Sequence, residues 1–145
     1  MELILWRHAD AEDGAPDLER RLTKKGRKQA ARVAEWLRER LPEDFELVSS
    51  PAARARETAE ALDARMRIEN ALAPGAAAAS FVQVSGWPRG ERTVVIVGHQ
   101  PDLGRALAYL VAGRDSEWRL QKGALWWLES GAPALVKAAI SPELL

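Results

Sequence analysis

The chain alternates between short apolar runs and stretches whose apolar residues recur at helical spacing. The runs predict four strands before the C-terminal region, at Glu2 to Arg7, Phe45 to Val48, Arg67 to Glu69 (a brief one) and Thr93 to Val97. The last of these is β-branched and apolar on both faces, which is typical of a strand in the middle of a sheet that is covered on both sides.

Amphipathic segments follow the first two strands. Behind a polar loop at 9–21, Thr23 is expected to be the N-cap of a helix that ends before Pro42. A second helix is expected to take Ser50 as its N-cap and Pro51 as its first residue, and to run as far as Met66. Each helix would follow a strand and lead to the next one.

The rest of the chain continues this alternation. Residues 74–88 are alanine-rich and predict a helix with a loop, and the spacing of Leu103 and Leu107 predicts another helix after the fourth strand. Two final strands are predicted at Ala124 to Leu128 and Leu135 to Ile140. The pattern indicates an α/β fold, a three-layer sandwich with a mainly parallel central sheet flanked by helices, to which the last two strands can add an antiparallel edge. No linker divides the chain, so residues 1–145 are expected to form one domain.

Composition excludes several classes of function. Lys plus Arg and Asp plus Glu both number 21 in the 145 residues, so the net charge gives no reason to expect attraction to nucleic acid or to a membrane. The absence of cysteine excludes disulfides, thiolate metal sites and a cysteine nucleophile. The first residues already predict a core strand rather than a secretory signal, and no apolar run is long enough to span a membrane. A cytoplasmic monomer is therefore expected.

Candidate chemistry is concentrated after strand ends. The chain has only two histidines, His8 directly after the first strand and His99 after the Thr93 to Val97 strand, while Arg54 lies at the start of the helix after the second strand. Ligand sites of parallel α/β sheets form outside the carboxyl ends of the strands. These side chains are therefore expected to meet at one edge of the sheet.

Such a group is suited to phosphoryl transfer. A neutral imidazole can attack phosphorus, and guanidinium groups match the phosphoryl oxygens as a fork. Arg7, Arg54 and one of Arg20 or Arg21 are placed to form that clamp. This chemistry needs no cofactor and no metal, and a metal site at Asp10 and Glu12 lacks a further histidine.

Four segments resemble the motifs of the histidine phosphatase (phosphoglycerate mutase-like) superfamily, in the order of that family. They are Arg7-His8-Ala9, Leu22-Thr23-Lys24-Lys25-Gly26, Ser50-Pro51-Ala52-Ala53-Arg54 followed by Thr58, and Gly98-His99. The short chain is most similar to the SixA-type phosphohistidine phosphatases. The resemblance implies that His8 is the phosphorylated nucleophile, His99 the second catalytic histidine, and Arg7, Arg54 and Arg20 phosphate ligands. Arg20 ranks before Arg21 because the arginine of the family lies two residues before its Leu-Thr pair.

One departure from the family bears on the substrate. Larger members carry a carboxylate general acid after the third strand, whereas residues 72–79 contain no acidic side chain here. A phosphate ester needs a proton for its alkoxide leaving group, and an imidazole leaving group needs less help. Phosphohistidine in a protein is therefore the expected substrate, unless Glu69, Asp10 or Asp102 supplies the acid. The alternatives are a small-molecule or general phosphomonoesterase acting on a phosphorylated metabolite, and a phosphate-binding module without turnover.

Overall fold

Six strands and four α-helices form the regular structure of the protein, whose computed structural model describes all 145 residues. The strands are β1 (Glu2–Arg7), β2 (Glu46–Ser49), β3 (Arg67–Ile68), β4 (Val94–Gly98), β5 (Leu125–Glu129) and β6 (Leu135–Ile140). The helices are α1 (Lys24–Arg38), α2 (Ala53–Glu60), α3 (Ala78–Ser85) and α4 (Asp102–Ala112). None of the helices is both long and apolar enough to cross a membrane.

The strands form one sheet in the order β3-β2-β4-β1-β5-β6. The first four strands in that order run parallel, whereas β5 is antiparallel to β1 and β6 is antiparallel to β5. This arrangement confirms the predicted α/β fold with a mainly parallel sheet and an antiparallel edge. Because β4 lies between β1 and β2, the carboxyl ends of these three strands are neighbours.

Side chains that alternate along β1 reach opposite faces of the sheet. Leu3 and Leu5 belong to a core cluster with residues of α3 and α4, whereas Ile4 and Trp6 belong to a cluster with residues of α1 and α2. All four side chains are fully buried. Each contributes about 1.5–3 kcal/mol through the burial of apolar surface, so the strand that carries the first histidine is fixed from both sides.

Three helix boundaries differ from the sequence-based predictions. Helix α2 begins two residues later than expected, since its N-cap is Ala52 rather than Ser50, and Pro51 precedes the helix. The Ser50 amide still bonds to Val97 at 3.0 Å, which keeps Ser50 attached to the sheet. The helix also ends at Glu60 rather than near Met66, and α1 ends at residue 38, before the turn that leads to Pro42.

Candidate active site

Two neighbouring strands bring the two histidines together. Arg7 of β1 pairs with Gly98 of β4, and the amide of His8 bonds to the Gly98 carbonyl at 3.0 Å. The next residue after Gly98 is His99. The centres of the two imidazole rings lie 5.2 Å apart, and both residues are buried. The expectation that both histidines lie at the same edge of the sheet is therefore met.

The ring of His8 is oriented by its own backbone neighbour. Nδ1 lies 2.7 Å from the carbonyl oxygen of Ala9, which can only accept, so Nδ1 carries the proton and Nε2 keeps its lone pair. Burial lowers the pKa of His8 to about 4, and the charges of Arg54 and Arg7 add to this effect against the opposing Ala9 hydrogen bond. At neutral pH His8 is thus an uncharged imidazole with a free ring nitrogen.

His99 is held by a residue at the end of β2. Its Nε2 lies 2.7 Å from Oγ of Ser50, and its Nδ1 is buried without a hydrogen-bond partner. Burial, followed by the charges of His8 and Arg54, lowers the pKa of His99 to about 3. A buried nitrogen without a partner is costly in a folded protein, so Nδ1 is suited to a polar group that enters the site.

Arg54 occupies the α2 side of the site and is 4% exposed. Its guanidinium donates to the backbone carbonyl of Asp17 at 2.8 Å and to the Asp17 carboxylate at 3.1 Å. Arg20 donates to the other carboxylate oxygen of Asp17 at 3.1 Å. Burial raises the pKa of Asp17, but the hydrogen bonds and charges of Arg54 and Arg20 lower it by more than this. The net pKa is below the usual value, so Asp17 is ionised at neutral pH.

Arg7 occupies the opposite side, beside the segment that leads to β5. It donates to the carbonyl of Leu120 at 2.7 Å, while its Nε is buried without a partner. Burial and the nearby charge of Arg119 lower the pKa of Arg7. Arg7 Nε, Arg54 Nε and His99 Nδ1 account for three of the four buried side-chain polar atoms without a partner, so such atoms are concentrated around the two histidines.

The structure separates Arg20 from Arg21. Arg21 donates to the carboxylate of Glu57 at 2.9 Å and is largely exposed, whereas Arg20 shares Asp17 with Arg54. Glu57 also accepts from the amide of Leu22 at 2.8 Å and so fixes the loop that carries both arginines. Of the two, Arg20 is the one that lies beside the site.

Two positioning contacts hold the loop after His8, and they involve motif residues whose partners the sequence analysis did not assign. The hydroxyl of Thr58 accepts from the amide of Ala9 at 3.0 Å and donates to the carbonyl of Arg54 at 2.8 Å. On the other side of the same loop, a Cβ at Gly26 would lie 2.0 Å from the carbonyl oxygen of Asp10. Thr58 follows Arg54 at the i+4 spacing of a helix, which is a signal available in the sequence. The loop after His8 is thus held by both α2 and α1.

The carboxylates considered as general acids already have partners. Asp10 bonds to Lys122 at 2.8 Å and to Thr23 at 2.7 Å, and Glu69 pairs with Arg67. Asp102 is 2% exposed and accepts from the amides of Gly75 and Ala76. Burial raises the pKa of Asp102 above its usual value, although the two hydrogen bonds act in the opposite direction. No three His, Cys, Asp or Glu side chains converge in a group that could hold a metal ion.

Comparisons with known proteins agree with this geometry. Residues 3–89 match the family model of the histidine phosphatase superfamily (branch 1). An uncharacterised protein of Picosynechococcus sp. (strain ATCC 27264 / PCC 7002 / PR-6) is 36% identical over 99% of this chain and 93% of its own length.

Two solved structures illustrate the range of proteins with this fold. The protein histidine phosphatase SixA complexed with tungstate superposes with a TM-score of 0.83 at 24% identity, covering 99% of each chain. The phosphoserine phosphatase of Entamoeba histolytica, as an H9A mutant with phosphoserine, gives 0.73 at 16% identity over 99% of this chain and 98% of its own. At these identities the likeness extends to the fold and leaves the substrate open.

Proposed function

This chain belongs to branch 1 of the histidine phosphatase superfamily, and on that premise we propose that it removes phosphate from protein phosphohistidine through a covalent intermediate at His8. The observation that carries the proposal is the state of His8. Its Nδ1 is bonded to a carbonyl, its pKa is lowered to about 4, and the lone pair of Nε2 is free at neutral pH. A neutral, oriented imidazole next to arginines is a suitable nucleophile for phosphorus.

The reaction has two balanced steps. In the first, the Nε2 lone pair of His8 forms a bond to phosphorus, the bond from phosphorus to the substrate breaks, and its electron pair stays on the leaving nitrogen. In the second, water attacks the same phosphorus, the bond to Nε2 breaks, and inorganic phosphate and a proton are released. The His8 lone pair is then restored for another turnover.

The other site residues stabilise the negative charge on the oxygens of the transferring phosphoryl group. Arg7, Arg54 and Arg20 bind its oxygens, since a guanidinium presents several donors in a plane and stays charged. His99 donates from Nδ1 when the Ser50 hydroxyl donates to its Nε2, which stabilises the charge that develops in the transition state. The buried atoms without partners in Arg7, Arg54 and His99 support these assignments.

The substrate class rests on the leaving group. Asp10, Glu69 and Asp102 are bound to other groups, and Asp17 has a lowered pKa that keeps it unprotonated. None of these four carboxylates therefore reaches a leaving group without breaking its present contacts, and Asp102, whose pKa is raised, is held by two backbone amides. Phosphohistidine whose second ring nitrogen is protonated releases a neutral imidazole, whereas a phosphate ester releases an alkoxide that requires a proton. A small-molecule phosphomonoesterase is the second candidate, since the same fold occurs in a phosphoserine phosphatase.

Chemical labelling tests the nucleophile. Rapid quenching of the protein with a ³²P-labelled phosphohistidine peptide should give an acid-labile, base-stable label in the wild-type chain. The label should be absent from His8→Gln and present, although it forms more slowly, in His99→Gln. Since the chain has only these two histidines, each variant is the control for the other. A label that persists in His8→Gln would overturn the assignment.

A comparison of rates tests the substrate. We expect kcat/KM for a phosphohistidine peptide to exceed the values for a phosphoserine peptide and for a sugar phosphate. A faster reaction with either ester would favour the phosphomonoesterase. Binding of phosphate without turnover of any of the three would instead indicate a phosphate-binding module.

A further inference from the structure

The segment that leads to β5 is fixed to the candidate active site at two points. Gln100, directly after His99, donates to the carbonyl of Trp118 at 2.9 Å and accepts from the amide of Gly104 at 2.9 Å. Arg7 donates to the carbonyl of Leu120 at 2.7 Å. The residue between the two bonded carbonyls is Arg119. Its backbone position is therefore set by Gln100 and Arg7, which both lie beside the histidines.

A close backbone contact reinforces this placement. A Cβ at Gly104 of α4 would lie 1.7 Å from the carbonyl oxygen of Trp118, so only glycine allows the helix and the segment to approach this closely. Such a contact fixes the segment more tightly than a flexible surface loop. The chain thus holds Arg119 at a defined place beside the site.

Arg119 contributes to a pocket that the reaction described above does not use. The pocket has a volume of about 470 Å³ and is lined by Arg7, Gln100, Arg119, Leu120 and Gln121. We call it the Arg119 pocket. Its lining has two guanidinium groups and two side-chain amides, and it contains no carboxylate. Arg7 belongs both to this pocket and to the phosphate clamp, so the two sites are continuous.

The charge of the Arg119 pocket is not balanced within the protein. Arg119 is exposed and takes part in none of the ion pairs of the chain, whereas Arg54, Arg67 and Arg105 each pair with a carboxylate. After burial, the charge of Arg119 is what lowers the pKa of Arg7, and it is of the same sign. Like charges at short distance repel each other, and a bound anion between them removes that repulsion.

We propose that the Arg119 pocket binds a second anionic group of the substrate, a carboxylate or a further phosphate, while the scissile phosphoryl group lies between His8 and His99. This inference rests on the proposed function and adds a substrate class to it. In a phosphoprotein the second anion is an acidic side chain near the phosphohistidine, and in a small molecule it is an acid group on the leaving part. Arg119 is then a specificity residue that contacts substrate.

Unreactive phosphonates test the pocket apart from turnover. The probes are phosphonoacetate, 3-phosphonopropionate and 4-phosphonobutyrate, each compared with the alkyl phosphonate of the same chain length that lacks the carboxylate. Their dissociation constants are measured by calorimetry on the whole protein. For at least one length, the carboxylate should improve affinity about 2- to 5-fold, which is the range for a partly exposed charge pair.

Variants of one residue identify the source of that gain. The gain should be lost in Arg119→Gln and partly kept in Arg119→Lys. The matched control is Arg89→Gln, which removes an exposed arginine before β4, at the opposite edge of the sheet. The control should keep the full gain. An equal ratio in the wild-type chain and in Arg119→Gln would overturn the proposal.

The outcomes separate this proposal from the proposed function. If alkyl phosphonates bind and phosphohistidine is hydrolysed but the carboxylate gives no gain, only the Arg119 pocket is wrong. If no phosphonate binds and no phosphorylated substrate is hydrolysed, the proposed function itself is wrong. Rates are then compared for two phosphohistidine peptides, one with Asp and one with Asn next to the phosphohistidine. This comparison shows whether the second anion belongs to a phosphoprotein substrate or to a small metabolite. A preference for Asp that disappears in Arg119→Gln indicates the protein source.

Discussion

The two arginines on either side of the histidines, Arg54 and Arg7, differ in their counter-charge. Arg54 has its side chain 5% exposed and donates to both the carbonyl and the carboxylate of Asp17. Arg7 donates to the neutral carbonyl of Leu120 and has a second arginine, Arg119, nearby. Arg54 therefore has a counter-ion before substrate arrives, whereas Arg7 has none.

The difference has consequences for how an anion enters. On the Arg7 side a phosphate meets positive charge that nothing else neutralises, which favours association. On the Arg54 side it must share its guanidinium with the Asp17 carboxylate, or displace it. The side chain of Asp17 is 57% exposed, so it can be rehydrated when it leaves. We infer that the Arg7 side attracts the phosphate and that the Arg54 side completes the clamp once Asp17 moves.

The largest effect is expected when each arginine is removed. Arg54→Met should lower kcat/KM by about 10³-fold or more, because one cation is lost and the Asp17 carboxylate, left with Arg20 as its only partner, repels the phosphoryl group. Arg7→Met should lower it by about 10²-fold, since no carboxylate is left unpaired. Steady-state kinetics on a phosphohistidine peptide measures both values, with circular dichroism to check folding.

A double variant makes this comparison sharper. Arg54→Met combined with Asp17→Asn should regain about tenfold of the lost kcat/KM, because the repulsive carboxylate is also removed. The same Asp17→Asn change added to Arg7→Met should give no such recovery. Equal losses in the single variants, together with no recovery in the double one, would contradict the inferred role of Asp17.

The sequence predicts the fold well where the information is local. The apolar runs predict β1 and β4, and the helical spacing behind Thr23 predicts α1. Each of these elements is buried in the core, and its pattern does not depend on which particular residues pack against it. The start of α2 was predicted wrongly for a reason that is not local. Serine is a residue type that is favoured at N-caps, but the hydroxyl of Ser50 contacts His99, which is 49 residues further along the chain.

The candidate site divides in the same way. His8, Arg54 and His99 follow strand ends and match motifs, so their convergence could be expected from the order of the elements. Asp17 lies in a polar loop, and its pairing with Arg54 joins residues 37 apart in the chain. Arg119 lies in an irregular segment whose position depends on hydrogen bonds from Gln100 and Arg7. Neither residue has a periodic or motif signal.

The pKa values of the two histidines provide a second test of the difference between Arg54 and Arg7. The charge of Arg54 lowers the pKa of both His8 and His99, whereas that of Arg7 contributes to the lowering for His8. Arg54→Met should therefore raise both pKa values toward 6.5, and Arg7→Met should raise mainly that of His8. Two-dimensional NMR of the imidazole groups measures this directly, since there are only two histidines.

The same shifts have a defined effect on stability. Each histidine has a pKa near 6.5 when unfolded and about 4 or about 3 when folded, so the unfolded chain binds more protons within this interval. The stabilisation is complete above pH 6.5 and is lost as the pH falls through the folded pKa values. Denaturant titrations should show this loss in the wild-type chain and a smaller one in His99→Gln. Indistinguishable pH profiles would show that burial does not lower the pKa of His99.

The smallest effect is expected from neutralising Asp17 alone. Asp17→Asn leaves Arg54 and Arg20 in place but removes the negative charge that they share, so inorganic phosphate no longer competes with an internal anion. Its dissociation constant, measured by calorimetry at neutral pH, should decrease about 3- to 10-fold. Asp13→Asn, which removes an exposed carboxylate from the same loop, is the matched control and should leave the constant unchanged. Weaker phosphate binding in Asp17→Asn would mean that the carboxylate acts mainly to hold Arg54 in position, and that the Arg54 side of the site is already preorganised for phosphate.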